Sequence, residues 1–184
     1  MFSIDLTAVL LGSIALACQL GGLLVPGWWV VGEPGENRTV HYGIWTTIVC
    51  EQGSCEERET DASGRNAWIQ VTKVFEVVAA VLVAVAVTLY AVGLFKASGA
   101  HVLNRLFVCL MAIAGTSIVI GIAVFAKKSA GLARYPKRET SGGKVDWPIG
   151  LSAAAAILCF LDALAVGLFL RTSKSLSESN LFDS

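Results

Sequence analysis

The chain has 184 residues, 55% of them hydrophobic and only 15% charged. Soluble domains carry about a quarter charged residues, so this composition excludes an ordinary soluble globule and points to an integral membrane protein. Net charge is zero, which removes the basic footprint expected of a nucleic-acid binder.

The first element is an apolar stretch, Leu6–Val25. Three more follow at Val74–Leu94, Leu106–Ala126 and Ile149–Leu170. Each holds about 20 residues, enough at about 1.5 Å rise to cross a hydrocarbon core of about 30 Å. The first stretch lacks the basic flank of a signal peptide, because Asp5 is the lone charge in Met1–Thr7. It is read as a retained helix, so four spans place both termini on one side.

Pro26–Ala67 is the largest polar segment. Trp28-Trp29-Val30-Val31 and Val40–Val49 are rich in aromatic and β-branched residues and predict strands. Glu33-Pro34-Gly35 breaks them, and Gln52-Gly53-Ser54 can turn a hairpin. Cys50 and Cys55 flank that turn, whereas Cys18, Cys109 and Cys159 lie in apolar stretches, where a free thiol packs as a small hydrophobe. A cysteine pair in a polar loop reads as a disulfide of an oxidising compartment. Against a metal site, two thiols and His41 leave the ligand set incomplete. Trp28, Trp29 and Trp68 fall at predicted membrane ends, where aromatic belts form, and Trp45 is expected to fill the core of a small sheet.

Two signals for orientation oppose each other. The sequon Asn37-Arg38-Thr39 and the Cys50/Cys55 pair put the first loop outside the cell. Lysine and arginine point the other way, being more numerous in the loops than on the side of the termini. The disulfide and sequon are given more weight, which places both termini in the cytoplasm and the protein in the plasma membrane. The loop Lys96–Asn104 is short enough to make the second and third spans antiparallel neighbours, and Arg171–Ser184 is a serine-rich tail that reads as disordered.

Trp28-Trp29-Val30, Gly43-Ile44-Trp45, Cys50, Cys55 and Trp68-Ile69-Gln70, set between the first two of four spans, resemble the signature of the claudin, peripheral myelin protein, epithelial membrane protein and lens fibre membrane protein superfamily. Gly43-Ile44-Trp45 stands where the family usually has Gly-Leu-Trp. The resemblance is sharp over Trp28–Gln70 and covers the rest in architecture. It implies a membrane all-α four-helix bundle, claudin-like, carrying a small extracellular antiparallel β-sheet from the first loop. The chain departs from claudins at its end, Phe182-Asp183-Ser184, which lacks a hydrophobic PDZ ligand, and has no cysteine just after the second or fourth span. It resembles the myelin, epithelial and lens branches more than the pore-forming claudins.

Charged groups inside a span are costly, about 2.5–3.5 kcal/mol at a helix centre, so Glu76 and Asp162 need a reason. Gln19 comes to nearly the depth of Glu76, and Ser13, Thr116 and Ser117 to that of Asp162, which predicts interhelical hydrogen bonds with Asp162 protonated. A cation or proton path, or a lipid-headgroup site, is the functional alternative. Ser117-x3-Gly121 and Ala153–Ala156 would let helix backbones approach.

The first loop carries seven acidic residues, Glu33, Glu36, Glu51, Glu56, Glu57, Glu59 and Asp61, against Arg38, Arg58 and Arg65. The second loop, Lys127–Trp147, carries six basic ones against Glu139 and Asp146. Opposite loops of neighbouring molecules could therefore pair. No Ser/His/Asp constellation, phosphate loop or metal cluster is present, so neither catalysis nor a cofactor nor a small-molecule substrate is expected. The expected function is that of a structural tetraspan protein of cell contacts, whose partners are membrane lipids and other membrane proteins or itself. The alternatives are an auxiliary subunit of a channel or receptor, as in the calcium-channel gamma relatives, and a paracellular pore.

Overall fold

A computed structural model of the chain describes residues 2–32, 38–60, 66–94, 100–132 and 143–182. Four helices, α1 (Phe2–Leu24), α2 (Ala67–Leu94), α3 (Ala100–Leu132) and α4 (Trp147–Phe182), are long and apolar enough to cross a membrane. Five strands, β1 (Trp29–Gly32), β2 (Arg38–Tyr42), β3 (Thr46–Glu51), β4 (Ser54–Glu59) and β5 (Lys144–Val145), form one antiparallel sheet in the order β4-β3-β2-β1-β5.

The helices run past the apolar stretches that mark them. α2 begins at Ala67 rather than at Val74, because Trp68–Lys73 contains no helix breaker and its Ile69, Thr72 and Lys73 are buried. α3 continues through Lys127 and Lys128, which are thus helical and not in a loop. α4 does not stop at Leu170: nothing after Gly167 is glycine or proline, and the helix carries the serine-rich segment to Phe182 instead of leaving it irregular. α1 does end where its sequence breaks, at Pro26 and at Gly27, whose φ of +98° is the left-handed conformation that glycine adopts freely.

Packing in the bundle relies on small side chains. Ala8 and Ala15 of α1, Ala79 and Ala86 of α2, Ala114 of α3 and Ala155 and Ala156 of α4 are buried around Tyr90, Phe107 and Met111. Helices in lipid gain no hydrophobic drive toward one another, so close approach and dispersion must hold them. Leu10, Val81, Val85, Ile113, Ile157 and Leu164 point outward, as lipid-facing residues must.

Two strand expectations change. Val40–Val49 is not one strand: the backbone folds at Gly43-Ile44-Trp45, where Gly43 N–H donates to Thr46 O at 3.0 Å, and β2 and β3 are its two arms. The sheet also does not come from the first loop alone. Lys144 and Val145 pair with Val30 and Trp29, so both loops on this end of the bundle build it. A two-residue strand is too short to show an alternating pattern in the sequence. The Gln52-Gly53 turn does form, with φ of +50° and +86°, the double positive pair of a two-residue hairpin loop.

Candidate interaction surface and the polar groups beneath it

Trp28 seats the sheet on the bundle. Gly27 reverses the chain, so the next side chain turns back onto the helix ends, and Trp28 has no exposed surface. It packs edge-on to Phe125 of α3 with ring centroids 5.0 Å apart, beside Ile44 and Ile149. Its indole N–H donates to Gly22 O at 2.6 Å, one of the carbonyls that the end of α1 leaves unpaired. Trp68 adds a second edge-on contact to Phe125 at 5.5 Å. Trp29, on β1, is half-buried with its indole against Gly143, where a side chain would not fit.

The roles expected of two tryptophans are therefore exchanged. Trp28 fills the core, and Trp45 is 39% exposed. In the turn Gly43-Ile44-Trp45 successive side chains point to opposite sides, and Ile44 takes the inward place. Lys73 Nζ lies 4.8 Å from the centroid of the Trp45 ring.

At the far edge of the sheet, Cys50 and Cys55 face each other in register and are joined by a disulfide, with Cα atoms 4.0 Å apart. They are the pair just inside the tight turn, the close-spaced position of an antiparallel ladder. β4 is exposed along its whole length. The β3–β4 hairpin carries Glu51, Glu56, Glu57 and Glu59 against Arg58. The Arg58 guanidinium, 2.6 Å from Glu56, holds that carboxyl below the usual range, through its hydrogen bond first and its charge second. Both groups are exposed, so the pair adds little stability and leaves the edge acidic. Lys144 lies on β5 at the opposite edge. Asn37, Glu33, Glu36, Asp61, Arg65, Arg134, Lys137, Arg138 and Glu139 lie outside the described residues.

Replacing both cysteines with serine is expected to cost about 2 kcal/mol, the loop-closure contribution of so short a ring. Because β4 pairs with β3 alone, hydrogen exchange should quicken in Thr46–Glu59 and stay unchanged in the four helices. Uniform loosening of the bundle would contradict this placement.

Inside the bundle one face of α1 carries Asp5, Gly12 and Gln19 at seven-residue intervals, about 10 Å apart along the helix. Each meets a polar group of another helix. Gln19 Nε2 donates to Glu76 Oε2 at 2.6 Å and to Glu76 O at 3.2 Å. Gly12 leaves space that Val87 and Asp162 occupy, since a Cβ there would stand 2.6 Å from Val87 Cγ2 and 3.3 Å from Asp162 Oδ2. Tyr90 O–H donates to Asp5 Oδ1 at 2.9 Å. Gly121 of α3 serves Glu76 in the same way, since a Cβ there would stand 2.5 Å from Glu76 Oε1.

Asp162 is fully buried, and neither of its oxygens has a hydrogen-bond partner among the described residues. Ser13, Thr116 and Ser117, expected to approach it, instead donate to Val9 O, Ala112 O and Ile113 O of their own helices. A hydroxyl in a helix has a carbonyl one turn back within reach, and that local bond wins. The residues missed in the sequence are Tyr90, Gly12 and Lys73. None carried a visible signal: Lys73 stands just before the apolar stretch Val74–Leu94, outside the span read there. Asp162→Asn removes no hydrogen bond and keeps the volume, so melting temperature and yield of folded protein should stay near wild type. A loss above about 2 kcal/mol would show that the carboxyl makes an interaction which an amide cannot.

Among the described residues no group of three or more His, Cys, Asp or Glu could hold a metal ion. Comparison with family models matches residues 2–170 to the PMP-22/EMP/MP20/Claudin family, and the chain belongs to that family. Comparison with curated proteins returns no match.

Proposed function

We propose that this tetraspan member of the PMP-22/EMP/MP20/Claudin family organises membrane contacts through its sheet, which faces the cell exterior with both termini in the cytoplasm. The observation that carries the reading is the contrast between the two ends of the sheet. One end is fixed into the bundle by the buried Trp28, and the other presents an exposed, acidic, disulfide-clamped hairpin. A rigid platform with a charged edge suits recognition of another protein surface, in the same membrane or a facing one. No catalytic role is assigned. Sequon and disulfide support the orientation, and the plasma membrane is the compartment that fits both.

The test is aggregation of suspended cells that express the protein. Clustering should weaken as salt rises from low to high ionic strength, because contacts of exposed charges are screened beyond about 10 Å at 0.1 M. Changing Glu56, Glu57 and Glu59 together to Gln should weaken it without lowering surface expression. Clustering indifferent to both salt and this variant would overturn the reading. Recovery of a stoichiometric channel in place of clustering would favour an auxiliary subunit.

A further inference from the structure

Lys73 is the one cation held within the seam between sheet and bundle among the described residues. It lies six residues after Ala67, the first residue of α2, or about 9 Å along the helix axis. It shares the inward face of α2 with Ile69, Thr72 and Glu76, and the residue is only 8% exposed. Its side chain rises toward the sheet, as long cationic side chains near a membrane boundary do, and ends over the ring of Trp45.

That ring is the ammonium's one partner among the described residues. An ammonium has three N–H donors and is strongly hydrated in water. A ring face attracts it weakly and accepts no conventional hydrogen bond, whereas taking the ion out of water is expensive. The described neighbours do not fill the gap. Glu76, one turn further along α2, is directed to Gln19 of α1. Thr60, whose N–H holds Trp45 O at 2.9 Å, has its hydroxyl engaged with Gly43 O and Thr47. A cation in a residue only 8% exposed, whose N–H donors find no acceptor among the described residues, calls for an anionic oxygen.

The surroundings indicate where that oxygen would come from. Trp28, Trp68 and Phe125 cluster at this level, and Trp147, largely exposed, starts α4 here. Such aromatic residues gather where the hydrocarbon gives way to headgroups. Trp45 is partly exposed at the rim of the seam, so the position opens outward. We propose that Lys73, with the ring of Trp45 as its wall, binds a phosphate-bearing anion, supplied by a phospholipid headgroup. The phosphate oxygens receive the ammonium's unused N–H groups. Occupancy ties the turn between β2 and β3 to α2 and makes the seating of the sheet depend on lipid.

The experiment uses the full chain purified in an uncharged maltoside detergent. Melting is followed with added dioleoyl phosphatidylglycerol, with dioleoylglycerol, which has the same acyl chains and no phosphate, and with inorganic phosphate at matched ionic strength. The phospholipid should raise the melting temperature by a few degrees and the diacylglycerol should not. Lys73→Arg should keep the shift, and Lys73→Met should lose it. A shift produced equally by inorganic phosphate would support the anion site and assign it to a soluble phosphate. An undiminished phospholipid shift in Lys73→Met, or no shift with either phosphate source in wild type, would overturn the proposal. Should Lys73→Met not fold, native mass spectrometry of wild type decides: one retained phosphate-bearing molecule is expected, and none would contradict the site.

Discussion

Trp28→Ala is expected to cost about 3–5 kcal/mol and to free the sheet from the helices. The residue has no exposed surface, and an indole of this kind buries about 150–250 Å². Its loss removes the edge-on contact with Phe125, opens a cavity beside Ile44 and Ile149, and leaves Gly22 O without its donor. None of the neighbours can collapse into the space easily, because they belong to three different elements: Phe125 to α3, Ile149 to α4, Ile44 to the turn between strands. Trp45→Ala is the control. It changes the same residue type seventeen positions later, yet its ring is partly exposed, and the cost should stay near 1 kcal/mol. Thermal unfolding with limited proteolysis of the sheet checks the pair. Equal effects of the two substitutions would mean that Trp28 does not hold the seam.

Gly43→Ala should cost about 3 kcal/mol, the upper part of the range for overpacking. A Cβ at Gly43 would stand 2.6 Å from Thr46 O, 2.9 Å from Pro26 Cα and 3.2 Å from Gly27 N. All three are backbone atoms, from two separate segments, so relief requires moving the chain and not a rotamer. Gly43 also hydrogen-bonds through both backbone groups, to Thr46 O and from the Thr60 hydroxyl. Two other glycines set the scale. Gly53→Ala has open space but a φ of +86°, so it should cost about 1 kcal/mol through strain alone. Gly150→Ala, helical and facing nothing within 4 Å, should be neutral or slightly stabilising. Melting temperatures of the three variants should fall in that order. A tolerated alanine at Gly43 would remove the steric account of the Gly-Ile-Trp turn.

The large features were legible in the residues because one strong cause stands behind each. Four apolar stretches of span length have no other stable home than a membrane, and a cysteine pair across Gln52-Gly53 has a short list of uses. What escaped notice depended on contacts between distant segments. β5 is two residues long and exists because Trp29 and Val30 offer it an edge. The inward turn of Trp28 follows from the φ of Gly27, and a Trp-Trp pair alone does not say which ring goes in. Ser13, Thr116 and Ser117 stand at the depth of Asp162, but depth is not direction, and each hydroxyl found its own helix first. The helix bounds were underestimated for the opposite reason. Hydropathy marks where lipid ends, whereas α2 starts before Val74 and α4 runs past Leu170 because no glycine or proline interrupts either helix at those points.

The contact function is tested most directly by reconstitution of the purified protein into two vesicle populations carrying different dyes. No other protein is then present, and tethering of the two dyes reads the proposed association between facing membranes. The account predicts tethering that declines as salt is raised, and that is lost when the acidic β3–β4 hairpin is neutralised at Glu56, Glu57 and Glu59. Vesicles that never tether, or that tether equally at every salt concentration with the neutralised hairpin, would contradict it.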